Sequence, residues 1–169
     1  YEATCFGRRA LVKTRDKKYL EDIAACSIGP VYEAVNALQR TGYEVNEKVL
    51  SWFKLCWDKN LAIGGVPPME DDPVPPKPSD IATNEEARRT WRKAAARQHF
   101  ENERKKSKRL QVMKVLHLTD KFSGNPMYYP FSLDFRGRGY PVPYFLQPQG
   151  PSWVKSLLKF RRGKPITDR

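Results

Sequence analysis

Thr83-Asn84-Glu85-Glu86-Ala87-Arg88-Arg89-Thr90-Trp91-Arg92-Lys93-Ala94-Ala95-Ala96-Arg97, continuing through Lys105-Lys106-Ser107-Lys108-Arg109 to Lys121, is the stretch that decides the fold. Thr83 and Glu86 stand in the S/T-x-x-E relation of a capping box. The two acids of the first turn suit the positive end of a helix dipole. Ala87, Trp91, Ala94 and Ala95 recur at spacings of three and four, and Leu110, Met113 and Leu116 resume the pattern. No Gly or Pro interrupts before Gly124. The pattern predicts one long helix, or two nearly coaxial ones, over about 84–121. At about 1.5 Å per residue it would run roughly 55 Å, too long for the core of a small domain, so it is expected to project as an arm.

The same stretch carries most of the charge. The chain has 31 Lys and Arg against 19 Asp and Glu, a net +12. Between Arg88 and Lys114 lie eleven basic residues and only two acids, Glu101 and Glu103, so this window holds nine of the twelve net charges. A merely solvated helix mixes signs at i, i+4 to limit self-repulsion. One with so few acids is better explained by a polyanion that neutralises it, and nucleic-acid phosphate is the commonest such partner. A membrane surface fits less well, because the basic stretch has no matching apolar strip. No apolar run approaches the roughly 20 residues a bilayer span needs.

Outward from this helix the chain is punctuated by proline and glycine. Residues 1–29 carry a second basic patch (Arg8, Arg9, Lys13, Arg15, Lys17, Lys18). Pro30 to Arg40 reads as a short helix ended by Gly42. Asn46 can cap another helix through about Trp57, whose tryptophans, Trp52 and Trp57, are expected in the core. Six of the fourteen prolines fall between Gly64 and Pro78, which predicts an extended, stiff linker over 64–79. Its Glu70-Asp71-Asp72 triplet has no neighbouring ligand to complete a metal shell and reads as solvated acids. After Gly124-Asn125-Pro126, the run Met127 to Phe135 is aromatic and strand-like. Arg136-Gly137-Arg138-Gly139 then sits between two aromatic strands, where the glycines allow a turn and the arginines can clamp phosphate. Ser152 to Phe160 reads as a short helix, followed by Arg161-Arg162-Gly163-Lys164-Pro165. The class is mainly α with a small β part.

Composition bounds the chemistry. The hydrophobic fraction is 40 %, enough for a modest core and against full disorder. Cys5, Cys26 and Cys56 are odd in number and lack CxxC spacing, which argues against a disulfide framework or structural zinc and for a reducing compartment. The chain begins with Tyr and shows no leader, so it is expected to be processed or a piece of something longer. The two histidines, His99 and His117, have no nucleophile at triad spacing. There is no Walker loop, no GxGxxG and no acid pair on a strand for two catalytic metals. Read alone, the residues describe a nucleic-acid-binding segment with no catalytic centre and no metal site.

Leu133-Asp134-Phe135-Arg136-Gly137-Arg138-Gly139-Tyr140-Pro141, with Tyr129-Pro130 before it and Gln147-Pro148-Gln149-Gly150 after, resembles the D-x-x-G-R signature of the single-subunit, bacteriophage-type RNA polymerases. Val31 to Gln39, Val45 to Leu50, Pro76-Lys77-Pro78, Thr90 to Ala96, Lys105 to Arg109 and Gly163-Lys164-Pro165-Ile166 match that family in order. The resemblance covers nearly the whole chain from about Leu11.

The resemblance implies a right-hand polymerase architecture: residues 1–45 the end of the N-terminal region, 46–124 a thumb-like helical segment, and 125–169 the start of the palm. It implies that Asp134, Arg136, Gly137 and Arg138 contact template and RNA–DNA hybrid, with Arg138 as backbone clamp and Asp134 orienting the loop. It assigns hybrid or template phosphates to Lys105, Lys106, Ser107, Lys108 and Arg109, with Arg92 and Lys93 in the matching helix. Phe100, Glu101 and Glu103 stand where some relatives have basic residues. The family's metal-binding aspartates and the Lys and Tyr of its fingers lie C-terminal to this sequence. Mg²⁺ and NTPs are therefore implied for an intact, monomeric parent and no catalytic residue for this piece. The parent would work in the cytoplasm of a phage-infected cell or, alternatively, in a mitochondrion. A stand-alone basic nucleic-acid-binding module, or a non-catalytic subunit of a split polymerase, remains open on the same residues.

Overall fold

The computed structural model describes residues 10–163. Cys5, Arg8, Arg9 and the Lys164-Pro165-Ile166 end of the last motif lie outside the described residues. In chain order the elements are α1 (Lys17–Ala25), α2 (Gly29–Gln39), β1 (Tyr43–Val45), α3 (Glu47–Asp58), α4 (Glu85–Phe122), β2 (Phe131–Leu133), β3 (Gly139–Pro141), α5 (Ser152–Ser156) and β4 (Leu158–Phe160). Helix accounts for about half of the described residues, with two small antiparallel strand pairs, so the mainly α class with a small β part holds. The chain divides into two compact units, one drawn from Tyr1–Ser51 and His117–Arg169 and one from Trp52–Leu116.

In the first unit, β1 pairs with β4 in the register Tyr43↔Phe160, Glu44↔Lys159 and Val45↔Leu158. β2 pairs with β3 as Phe131↔Pro141, Ser132↔Tyr140 and Leu133↔Gly139. Period-2 alternation buries Phe131 and Leu133 and leaves Ser132 half-buried. The core gathers Val35, Val45, Leu50, Tyr129, Leu146, Val154 and Leu157. Asn46 caps α3 as its position suggests, its side-chain oxygen accepting from Val49 N at 3.3 Å. In the second unit, residues 61–84 form no helix or strand, and the regular backbone comes from α4 and the end of α3.

α4 is a single helix of 38 residues, about 57 Å long, with Glu85 and Glu86 in its first turn and Lys121 in its last. Its cap is not the expected Thr83. The helix starts one residue later, so Asn84 Oδ1 accepts from Ala87 N at 3.1 Å, while the Thr83 hydroxyl donates to Asp80 O. The buried positions of its C-terminal half are Val112, Val115 and Thr119, whereas Leu110 and Met113 are exposed. The apolar pattern there is offset from the expected 110, 113, 116.

Three further expectations fail for local reasons. Trp52 is 61 % exposed, because it lies about 200° around α3 from the buried Leu50; Trp57 is half-buried. Gly42 does not end α2, which stops at Gln39 with Arg40 as its cap. Ser152 to Phe160 is not one helix. α5 has five residues, too few to hold alone, and the next three join β1 as a strand. The sequence also concealed α1, capped by the Asp16 side chain on Tyr19 N, and the three-residue β1.

Candidate nucleic-acid interface

In the second unit the proline-rich segment lies along one face of α4. Trp91 Nε1 donates to Pro75 O at 2.8 Å. Asn102 pairs with the backbone of Asp72 at both ends, Asp72 N to Asn102 Oδ1 at 3.1 Å and Asn102 Nδ2 to Asp72 O at 2.9 Å. Gln98 Nε2 donates to the Asp72 carboxylate at 3.3 Å, which also meets Lys105 Nζ at 2.5 Å. Arg109 Nη2 pairs with Asp71 Oδ1 at 2.6 Å, and its Nη1 donates to Pro68 O and Glu70 O. As the segment advances from 68 to 75, its helix partners fall from 109 to 91, so strap and helix run antiparallel. The lengths agree: seven extended steps reach roughly 23 Å, and eighteen helical ones about 27 Å. Proline suits the strap because it has no N–H left to satisfy.

The acids at 71 and 72 are thus not merely solvated; they are the strap's anchors. The Asp72 carboxyl is held below its ordinary value, chiefly by the Lys105 hydrogen bond. Among the expected phosphate contacts, Lys105 and Arg109 are the two that face these acids, with side chains only 25 % and 16 % exposed.

The opposite face of α4 is open. Arg89, Lys93, Arg97, Phe100, Arg104 and Lys108 follow spacings of four, four, three, four and four, which keeps them on one side, and all are exposed. Arg92, Lys106 and Ser107 are exposed as well. Glu101 pairs with Arg104 at 3.0 Å and Glu103 with Lys106 at 3.8 Å; both are surface pairs of little stabilising value. Phe100 is 65 % exposed within this row of cations. Reading the basic residues as a run does not show that Arg89, Arg97, Arg104 and Phe100 share a side; the 3.6-residue period does.

In the first unit, Asp134 to Arg138 is the turn of the β2–β3 hairpin. Asp134 Oδ1 accepts from Arg136 N at 2.8 Å and from Arg138 N at 3.0 Å. These amide bonds, Arg138's first, hold its carboxyl below the ordinary range. Gly137 has φ +78°, the left-handed region in which a Cβ is unfavourable. Both guanidiniums lean on the carboxylate, Arg138 Nε at 3.5 Å and Arg136 Nε at 3.7 Å, and stay 54 % and 59 % exposed. Arg136 also lies over the Phe135 ring, 5.0 Å from its centroid. Tyr19 OH donates to Phe135 O and Gln149 Nε2 to Gly139 O, which fix the turn from both sides. A recess of about 750 Å³ beside it includes Lys13, Arg136 and Tyr140 in its lining. The arrangement presents two oriented guanidiniums to an external anion.

Among the described residues no group of three or more His, Cys, Asp or Glu can hold a metal ion. No described helix is long and apolar enough to cross a membrane.

No protein-family model matches the chain. Individual proteins do. Over 165 residues, 95 % of this chain, it is 40 % identical to the DNA-directed RNA polymerase of Enterobacteria phage T3 and 36 % identical to the T7 RNA polymerase of Escherichia phage T7. Over 160 residues it is 32 % identical to DNA-directed RNA polymerase 1, mitochondrial, of Arabidopsis thaliana. The chain spans 18 % of the length of the two phage relatives and 15 % of the plant one. A likeness of 36–40 % identity that spans 95 % of the chain makes it a fragment of the single-subunit, phage-type RNA polymerase family.

Proposed function

We propose that this chain is the nucleic-acid grip of a DNA-directed RNA polymerase, which transfers nucleotidyl groups from NTPs to an RNA 3′ end on a DNA template. The observation that carries the reading is the open face of α4: an exposed row of like charges with few acids, opposite a face whose cations are already paired. Arg92, Lys93, Lys106, Ser107 and Lys108, joined by Arg89, Arg97 and Arg104, contact phosphates of the RNA–DNA hybrid or template. Lys105 and Arg109 hold the strap that supports them. At the hairpin, Arg138 and Arg136 clamp a strand, and Asp134 and Gly137 set the turn. In this reading residues 46–124 belong to a thumb-like segment and residues from 125 open the palm.

Family chemistry implies Mg²⁺, which would activate the RNA 3′-hydroxyl and stabilise the leaving pyrophosphate. The described residues do not fit that ion. Asp71 and Asp72 are committed to Arg109 and Lys105, Asp134 to two backbone amides, and no third donor joins them. No transfer step is assigned to these residues. Of the two settings, the cytoplasm of a phage-infected cell is favoured by the higher identities of the phage relatives, 40 % and 36 % against 32 % for the mitochondrial one.

The test is anisotropy of a labelled RNA–DNA hybrid titrated with the chain at several salt concentrations. If four phosphates are contacted, affinity falls about a hundredfold between 50 and 200 mM salt. A flat salt response overturns the reading.

A further inference from the structure

We propose a second anion site in the first unit, where Arg40, Arg161 and Arg162 converge with two aromatic rings to take a nucleotide: its phosphate on the guanidiniums, its base against the rings. This goes beyond the grip proposed above and uses none of its residues.

The site is a recess of about 300 Å³, large enough for a small ligand, lined by those three arginines, Tyr128 and Phe160. Its walls are fixed. The β1–β4 ladder is extended by Arg161 N donating to Gly42 O at 2.9 Å. Arg161 Nη1 donates to Tyr128 OH at 3.2 Å. Gly42 is what lets these groups close in. A Cβ there would fall 3.3 Å from Tyr128 Cε1, tighter than an ordinary van der Waals contact, and would touch Arg161 Cβ at 3.4 Å.

The charge is only partly compensated. The nearby carboxylate, Glu44, is 3.6 Å from Arg161 Nε and is shared with Lys159 at 3.7 Å. Among the described residues Arg40 and Arg162 have no carboxylate partner. Guanidiniums gathered in one recess repel each other unless an anion joins them, and their planar forks match phosphate oxygens. Beside them Tyr128 and Phe160 are 52 % and 60 % exposed. Rings next to arginines serve stacked bases without sequence preference.

The experiment is calorimetric titration of the chain with adenosine 5′-monophosphate, inorganic phosphate and adenosine. AMP is expected to bind saturably and at least tenfold tighter than either part. The double variant Arg40→Ala/Arg162→Ala should weaken AMP about tenfold or more, one lost charge-assisted contact being worth roughly that factor. Its hybrid binding should stay within about twofold, because the open face of α4 is untouched. Arg162→Gln alone, with unfolding checked by circular dichroism, covers the case in which the double variant fails to fold. AMP binding no tighter than phosphate, or indifferent to Arg40 and Arg162, overturns the site. Loss of hybrid binding with AMP binding intact would instead sink the grip and leave this site standing. Displacement of AMP by a 5′-phosphorylated hexanucleotide, but not by its unphosphorylated counterpart, makes the ligand a strand terminus. Displacement by ATP and by neither hexamer makes it a free nucleotide. Either result supports the site.

Discussion

Asp134 and Arg138 are joined twice through the backbone of Arg138: Asp134 N donates to Arg138 O at 3.0 Å, and Arg138 N donates to Asp134 Oδ1 at 3.0 Å. The hairpin is therefore closed by Asp134, while the Arg138 side chain remains half in solvent. Rigidity and availability are separated onto two residues four apart. A guanidinium held this way spends little conformational freedom on meeting a phosphate.

The first expected outcome concerns that closure. Asp134→Ala removes the acceptor of two amides and should weaken hybrid binding about tenfold. It should also speed hydrogen exchange at the Arg136 and Arg138 amides. Asp134→Asn keeps an acceptor oxygen and should retain most of the affinity. Unchanged exchange in the alanine variant would show that the carboxylate does not organise the turn.

Gly137→Ala tests the backbone. At φ +78° the added Cβ should cost about 1–2 kcal/mol, visible as a lower urea midpoint with an unchanged slope. Gly124, also left-handed at φ +73°, is a control outside the hairpin. If only its replacement destabilises, the strain ascribed to the turn is misplaced.

Arg109→Ala removes a pair with Asp71 and contacts to two carbonyls of the strap. A loss of about 1–2 kcal/mol is expected, together with faster proteolysis between 66 and 78, while the salt slope of nucleic-acid binding is retained. A reduced slope with unchanged stability would instead make Arg109 a phosphate contact.

These cases show where the sequence was legible. The long helix was readable because 38 residues without Gly or Pro leave few alternatives. The hairpin turn was readable because Arg-Gly-Arg-Gly between aromatic strands has a local cause. The strap was half legible. Proline density gave its extension, but its docking rests on Gln98, Asn102, Lys105 and Arg109. They are polar residues at the four-three-four spacing normally searched for apolar ones. β4 was illegible, since its three residues become a strand only when Tyr43 to Val45 stand beside them. The pocket at Arg40 and Arg161 joins residues 121 apart in sequence, beyond any local pattern.

Asp72 supplies a pH test with a defined sign. Its folded carboxyl lies below the ordinary value of 3.8. The Lys105 pair is therefore fully present above pH 3.8 and is lost as pH falls through the depressed value. Exchange rates of the strap amides should be flat from pH 7 to 5 after correction for intrinsic chemistry, and should rise only on the acid side of 3.8. Asp72→Asn should remove that acid limb while the backbone pairing to Asn102 persists. Loosening already at pH 6 would point to a different group.

The open face of α4 gives the most direct measurement. Lys93, Arg97, Arg104 and Lys108 share that face, and each replaced by Ala should lower the slope of log affinity against log salt by about 0.9 on duplex DNA. Lys105→Ala, on the strap side, should leave the slope unchanged and lower stability instead. Phe100 sharpens the comparison, because it is an exposed ring within a row of exposed cations. Phe100→Lys should steepen the slope by about one contact's worth and tighten binding at 50 mM salt more than at 200 mM. Phe100→Ala should leave the slope where it was, since a ring releases no counterion. If Lys105→Ala and Lys108→Ala changed the slope equally, the division of α4 into a strapped face and an open one would be wrong.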